Sequence, residues 1–223
     1  MYSRTELLIG EENVEKLKAS GVLIVGLGGV GGYVCESLAR VGVGRLGLVD
    51  FDVIDESNKN RQVLALDSTV GRAKARVAEE RVKDINPNCK TEVFDFRITE
   101  DNIADLKLSE WNYVAECIDD VPAKIALIKS CLAQGVKIIS SMGTGNKMDS
   151  SMFEIKDINQ TENDRLARSM RKKTREDGLK FDVLFSKETP IQDNIDIIPS
   201  ISYMPAVAGL KISEYIIKKI IDF

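Results

Sequence analysis

Histidine is absent from all 223 residues of the chain. That excludes Ser-His-Asp and Cys-His nucleophilic centres, histidine metal sites and the usual general base near neutral pH. The four cysteines, Cys35, Cys89, Cys117 and Cys131, form no CxxC pair. No zinc site is therefore expected, and each cysteine reads as a small buried hydrophobe. Long apolar runs are also missing. The best candidate, residues 206–221, is interrupted by Lys211, Glu214, Lys218 and Lys219, whereas a membrane span needs about 20 apolar residues. The N-terminal stretch lacks the basic start and apolar core of a secretory leader. Together these absences predict a cytoplasmic chain with no membrane partner. What remains for chemistry is Arg, Lys, Asp, backbone amides and a bound metal. Such a set suits phosphoryl or nucleotidyl transfer, in which positioning and charge neutralisation carry the rate.

The chain is 43% hydrophobic and 30% charged, with a formal net charge of −4, enough apolar content to bury a sizeable core within one domain. Apolar runs alternate with helical patterns. Strands are expected at residues 22–26, 45–50, 91–96, 113–118 and 137–142, and helices at 30–41, 71–85 and 122–134. Asn86-Pro87-Asn88 closes the second helix, because proline disfavours helix in the residue before it. This order predicts an α/β fold, a mostly parallel sheet with helices on both faces. Beyond Gly143 the regularity weakens. Strands at 153–158 and 181–186 flank a charged segment, 161–177, and a final helix begins near Pro205. This less regular C-terminal part, about 146–223, is expected to complete the sheet begun by a nucleotide-binding half, about 1–145.

The first expected strand runs into Gly26-x-Gly28-Gly29-x-Gly31 at the head of a helix. Glycine lets the backbone approach a phosphate closely, and the helix N-terminus presents free N–H groups and positive partial charge. Asp50 ends the next strand, where a carboxylate accepts hydrogen bonds from ribose hydroxyls. These features mark a Rossmann-like nucleotide site without distinguishing ATP from NAD. The segment that follows does distinguish them: Asp50-Phe51-Asp52, then Asn58-Lys59-Asn60-Arg61-Gln62, then Val70-Gly71-Arg72-Ala73-Lys74. A triphosphate concentrates charge at one end and asks for guanidinium and ammonium partners, a task that fits Arg61 and Lys74. An NAD-dependent oxidoreductase would need neither. Asp119 follows the fourth strand, at the sheet edge where open α/β folds bind ligands, and is suited to hold Mg²⁺ against substrate phosphates. Asp120 reads as the cap of the helix that begins nearby.

Taken together, these motifs resemble the adenylating domain of the ubiquitin-activating enzyme superfamily, which includes the bacterial thiamine and molybdopterin sulfur-carrier adenylyltransferases. The resemblance covers about residues 1–145 and implies one ThiF-type domain over the whole chain. It implies ATP and Mg²⁺ as cofactors and ATP contacts from Gly26, Gly28, Gly29, Gly31, Asp50, Asp52, Asn58, Arg61, Gln62, Lys74 and Asp119. Arg61, Lys74, Asp119 and Arg4 would be catalytic, with Asp119 on the magnesium. Arg4 stands where the family places an arginine that reaches the nucleotide of the opposite subunit, which implies a homodimer.

Within that superfamily the chain looks most like the tRNA threonylcarbamoyladenosine dehydratase branch. The stretches that carry this likeness are Ser3–Gly10, Cys117–Lys124, Phe185-Ser186-Lys187-Glu188 and Pro205–Gly209. The branch implies adenylation of the threonyl carboxylate of a modified adenosine in tRNA, followed by cyclising dehydration, with a sulfur-transfer or redox partner left open. The alternative is adenylation of the C-terminal glycine of a ubiquitin-like sulfur carrier. Those adenylyltransferases often carry two CxxC pairs, and this chain has none. Arg165, Arg168, Arg171, Lys172 and Lys173 are spaced to track an RNA backbone, although Glu162, Asp164, Glu176 and Asp177 flank them.

Overall fold

Val22, Leu23, Ile24 and Val25 are all fully buried, so the first strand is covered on both faces, as parallel sheets require. The computed structural model describes residues 2–193 and 197–223. Its strands are β1 (Gly21–Val25), β2 (Arg45–Val49), β3 (Lys90–Phe94), β4 (Tyr113–Glu116), β5 (Ile138–Ser141), β6 (Phe153–Asp157) and β7 (Asp182–Ser186). They form one sheet in the order β3-β2-β1-β4-β5-β7-β6. Every pairing is parallel except β6 with β7, which is antiparallel. The expected doubly covered, mostly parallel sheet is present, and the C-terminal part completes it.

The helices are α1 (Ser3–Ile9), α2 (Glu11–Ala19), α3 (Gly31–Val41), α4 (Lys74–Ile85), α5 (Val121–Ala133), α6 (Arg165–Thr174) and α7 (Tyr203–Ile221). Period-2 alternation along β1 sends Val22 and Ile24 to one core, with α3, α4 and α7, and Leu23 and Val25 to the other, with α5 and α6. Pro205 sits in the first turn of α7, where its missing N–H costs no helical bond.

Several boundaries differ from the sequence expectation. Gly26 lies outside β1 with φ +89°, because the chain must turn sharply there. β4 stops at Glu116, and residues 117–120 form a loop. α4 starts at Lys74 instead of residue 71, since Ala73 pairs as a bridge with Val53. α1 and α2 carry no sequence expectation; α1 buries none of its residues, so it leaves no apolar stripe to read.

Candidate nucleotide site

The strand order reverses between β1 and β4, and at such a switch point the loops that leave the two strands diverge and open a crevice. Gly26 follows β1 on one side of it. A Cβ at Gly26 would lie 2.8 Å from the carbonyl carbon and oxygen of Cys117, so the loop after β4 rests directly on the glycine turn. A Cβ at Gly31 would meet the Gly26 carbonyl oxygen at 1.7 Å, which closes that position to any other residue. Pro205 of α7 packs 3.0 Å from the corresponding point on Gly29. The C-terminal helix therefore buttresses the turn.

Gly28 is different. The nearest atom to a Cβ there is Gln62 Nε2, at 3.8 Å, so the space above it is open and roofed by the Gln62 amide. Gln62 is 8% exposed, and its Oε1 is buried without a hydrogen-bond partner among the described residues. A buried acceptor left unmade is costly, and here it borders the open face of the glycine turn.

Asp50 follows β2 and is also buried. Its Oδ2 accepts from Leu27 N–H at 2.7 Å and its Oδ1 from Asp52 N–H at 2.9 Å. Burial pushes its carboxyl above the usual carboxylate range, against the pull of those two amides and of nearby Lys74. Lys74, the first residue of α4, is only 6% exposed and donates to Asp52 Oδ2 at 2.9 Å. Arg61 passes its stem over the turn, with Cγ 3.6 Å from the Cβ position of Gly29. Its guanidinium donates to the Ser57 carbonyl at 3.1 Å and to Asn60 Oδ1 at 2.7 Å. Asn58 ends a short 3₁₀ turn capped by Asp55 and closes the capping box, its Oδ1 accepting from Asp55 N–H at 3.2 Å.

Across the crevice, Asp120 caps α5 by accepting from Ala123 N–H at 3.2 Å, and it also pairs with Arg97 at 2.6 Å. Asp119 is not the cap and stands exposed in the loop that seats on Gly26. Among the described residues no three His, Cys, Asp or Glu side chains converge into a protein-made metal cage.

The remaining sequence candidates lie elsewhere. Arg4 is exposed on α1, whose neighbour Tyr2 packs on Gly42, between the end of α3 and the start of β2. Within one chain this puts it at the amino-terminal edge of the strands, opposite the glycine turn. Of the α6 cations, Arg165, Arg168, Lys172 and Lys173 are exposed. Arg171 departs from the expected RNA-facing set: it is half-buried and donates to the Thr161 carbonyl at 2.6 Å and to the Thr161 hydroxyl. Its position in the helix turns it toward the preceding loop.

Two buried ion pairs escaped sequence reading: Glu116–Lys124 and Lys147–Asp164, the latter at 2.9 Å. The available signal was a charge inside an otherwise apolar stretch, as with Lys124 among Ala123, Ala126, Leu127 and Ile128. A hollow of about 420 Å³ lies at the other end of the sheet, lined by Ser20, Trp111, Asn112, Tyr113, Val136 and Lys137. Its lining also includes Lys219 and Asp222, but it sits at the amino-terminal ends of β1, β4 and β5, away from the carboxyl ends of the strands where open α/β sheets bind ligands.

The ThiF family model matches residues 2–223. The chain is 38% identical to the tRNA threonylcarbamoyladenosine dehydratase of Bacillus subtilis, with 97% of this chain and 92% of the relative covered. It is 34% identical to the enzyme of the same name from Escherichia coli, with 87% and 76% covered. It is similar to the solved structure of E. coli tRNA N6-threonylcarbamoyladenosine dehydratase, TcdA, in complex with ATP, with TM-score 0.94 and 32% identity over 99% of this chain and 93% of that one.

Proposed function

This chain belongs to the ThiF family, and from that premise we propose that it is an ATP-dependent tRNA threonylcarbamoyladenosine dehydratase. It adenylates the threonyl carboxylate of N6-threonylcarbamoyladenosine in tRNA and so prepares the cyclising loss of water. The likeness to dehydratases of that name supports the tRNA substrate, and the observation that carries the ATP-dependent step is Lys74, an ammonium only 6% exposed and held beside Asp52 at the mouth of the glycine turn. One of its N–H groups is used there, and two remain for a phosphate.

Asp50 holds the ribose, and the turn from Gly26 through Gly28 and Gly29 to Gly31 admits the nucleotide backbone under the Gln62 amide. Asn58, Arg61 and Lys74 contact the phosphates, and the two cations neutralise charge on the β- and γ-phosphates, Lys74 through the two N–H groups that Asp52 leaves free. The substrate carboxylate is ionised at neutral pH, its pKa being near 4, so attack on the α-phosphate needs no base and suits a chain without histidine. The carboxylate oxygen bonds to phosphorus as the bond to pyrophosphate breaks. Asp119 is a hard oxygen ligand next to the turn, and Mg²⁺ characteristically takes one or two carboxylates plus substrate phosphates. Its fit therefore requires no cage, and when bound it supplies charge neutralisation at the leaving pyrophosphate.

Arg4 acts from a second copy of the chain, because its own helix stands at the far edge of the sheet. Leu7 and Leu8, exposed at 88% and 83% on the same helix, supply apolar contact for that homodimer. All four thiols are free; Cys35, Cys89 and Cys131 are buried as expected while Cys117 is only half-buried, and desolvation pushes each of them up. A sulfur-transfer or redox step would accordingly fall to a separate partner protein. A cytoplasmic location follows from tRNA as substrate.

Incubation with Mg-ATP and bulk tRNA, followed by nucleoside mass analysis, tests the assignment. The expected result is ATP-dependent loss of one water from threonylcarbamoyladenosine. An unchanged nucleoside, with adenylation instead of a protein ending in Gly-Gly, would move the activity to the sulfur-carrier class.

The tRNA track is α6. Arg165, Arg168 and Lys172 share one helical face at spacings of three and four, with Lys173 beside them, and Arg165 also reaches Asp193 at 3.0 Å. The whole chain is acidic, so this local stripe must provide the attraction. Arg168→Glu combined with Lys172→Glu is expected to weaken tRNA binding about tenfold or more at moderate salt and to flatten the salt dependence. Unchanged affinity in a filter-binding titration would remove α6 from the interface.

A further inference from the structure

Glu116, the last residue of β4, and Lys124, in the first turns of α5, are both 0% exposed. The Lys124 ammonium lies 2.7 and 2.9 Å from the two Glu116 oxygens, and it donates at 2.8 Å to each of the carbonyls of Ile118 and Ser141. Glu116 also accepts from Ile118 N–H at 2.8 Å and from the Ser140 hydroxyl. Burial raises the Glu116 carboxyl, and Lys124 is the chief opposing influence. Every donor and acceptor of the pair is thus matched.

Stability alone gives no reason for such a pair. Each buried ion costs several kcal/mol in desolvation, and well-packed apolar replacements are often neutral or stabilising. What the pair accomplishes is placement. It ties the end of β4, the end of β5 and the start of α5 to one residue, Ile118, whose N–H is taken by Glu116 and whose carbonyl is taken by Lys124. Asp119 is the next residue, and Asp120 is fixed as the helix cap. On its other side the same loop rests on Gly26, with Cys117 backbone atoms 2.8 Å from the Cβ position.

We propose that the Glu116–Lys124 pair is the device that sets Asp119 against the glycine turn, which makes Lys124 a positioning residue for adenylation. The proposal rests on Asp119 facing the nucleotide. Lys124→Met alone strands a buried carboxylate and is expected to fold poorly. Glu116→Gln with Lys124→Met removes both charges and is the informative variant. It is expected to stay folded with a lowered melting temperature, because the Ile118 and Ser141 carbonyls lose their donor, and to lose about tenfold in kcat with KM for ATP little changed. In the absence of nucleotide, its Asp119 and Asp120 amides are expected to exchange about tenfold faster. Native kcat, or slow turnover with native amide exchange, would overturn the proposal. If that variant does not fold, Ser140→Ala, which removes only the hydroxyl on Glu116, is expected to lower kcat about two- to fivefold with the same exchange signature, and native values for both would overturn it equally. Failure of the wild-type chain to adenylate would count against the function, whereas the exchange measurement reports on the loop alone.

Discussion

Lys74→Ala is expected to slow adenylate formation by about tenfold or more, since removing a charge-assisted contact costs roughly 1.5–3 kcal/mol. The fold should survive. Lys74 sits at the very start of α4, and the partner it leaves behind, Asp52, has a side chain 48% exposed that water can solvate. Arg61→Ala is expected to act in the same direction, because its present contacts to Ser57 and Asn60 lie on an exposed loop and contribute little to stability. Single-turnover release of pyrophosphate gives the rate, and thermal melting controls for folding. Were Lys74 only an anchor for Asp52, the melting temperature would fall and the rate would hold.

Gly31→Ala is expected to destabilise the protein by about 4 kcal/mol or more, the range in which a named steric cause is needed. That cause is the 1.7 Å approach of the added Cβ to the Gly26 carbonyl oxygen, with the Gly26 carbonyl carbon at 2.9 Å. Both obstacles are backbone, so no rotamer change relieves them and the turn must open. Gly28→Ala provides the contrast. Its added methyl meets only the Gln62 amide at 3.8 Å, so stability should be near native while ATP binding falls, because the methyl occupies the space the nucleotide takes. Urea denaturation alongside ATP titration separates the two effects. Equal stability losses at both positions would contradict the division into a structural and a ligand-facing glycine.

The alternation of apolar runs and amphipathic segments made the sheet legible, because parallel strands buried on both faces leave unmistakable apolar stretches such as 22–25. The glycine turn and Asp50 were legible because their backbone demands admit few residue types. Strand ends were less so. Cys117 and Ile118 continue the apolar run of β4, yet they belong to the loop, since the Ile118 N–H and carbonyl are taken by the Glu116 and Lys124 side chains instead of a neighbouring strand. Arg171 reads like its neighbours in sequence, and only helix phase turns it to Thr161. Partners separated by a long stretch of chain, such as Lys147 and Asp164, leave only a charge whose mate is unspecified. The N-terminal helix α1 has no buried residue, so periodicity had nothing to register.

Comparing the affinities of ATP and AMP for the wild-type chain and for Lys74→Ala tests most directly whether this crevice is built for a triphosphate. If Lys74 meets the β- and γ-phosphates, the variant should lose about tenfold in ATP affinity and bind AMP like the wild type. Equal losses for both nucleotides, or no loss for either, would contradict the account.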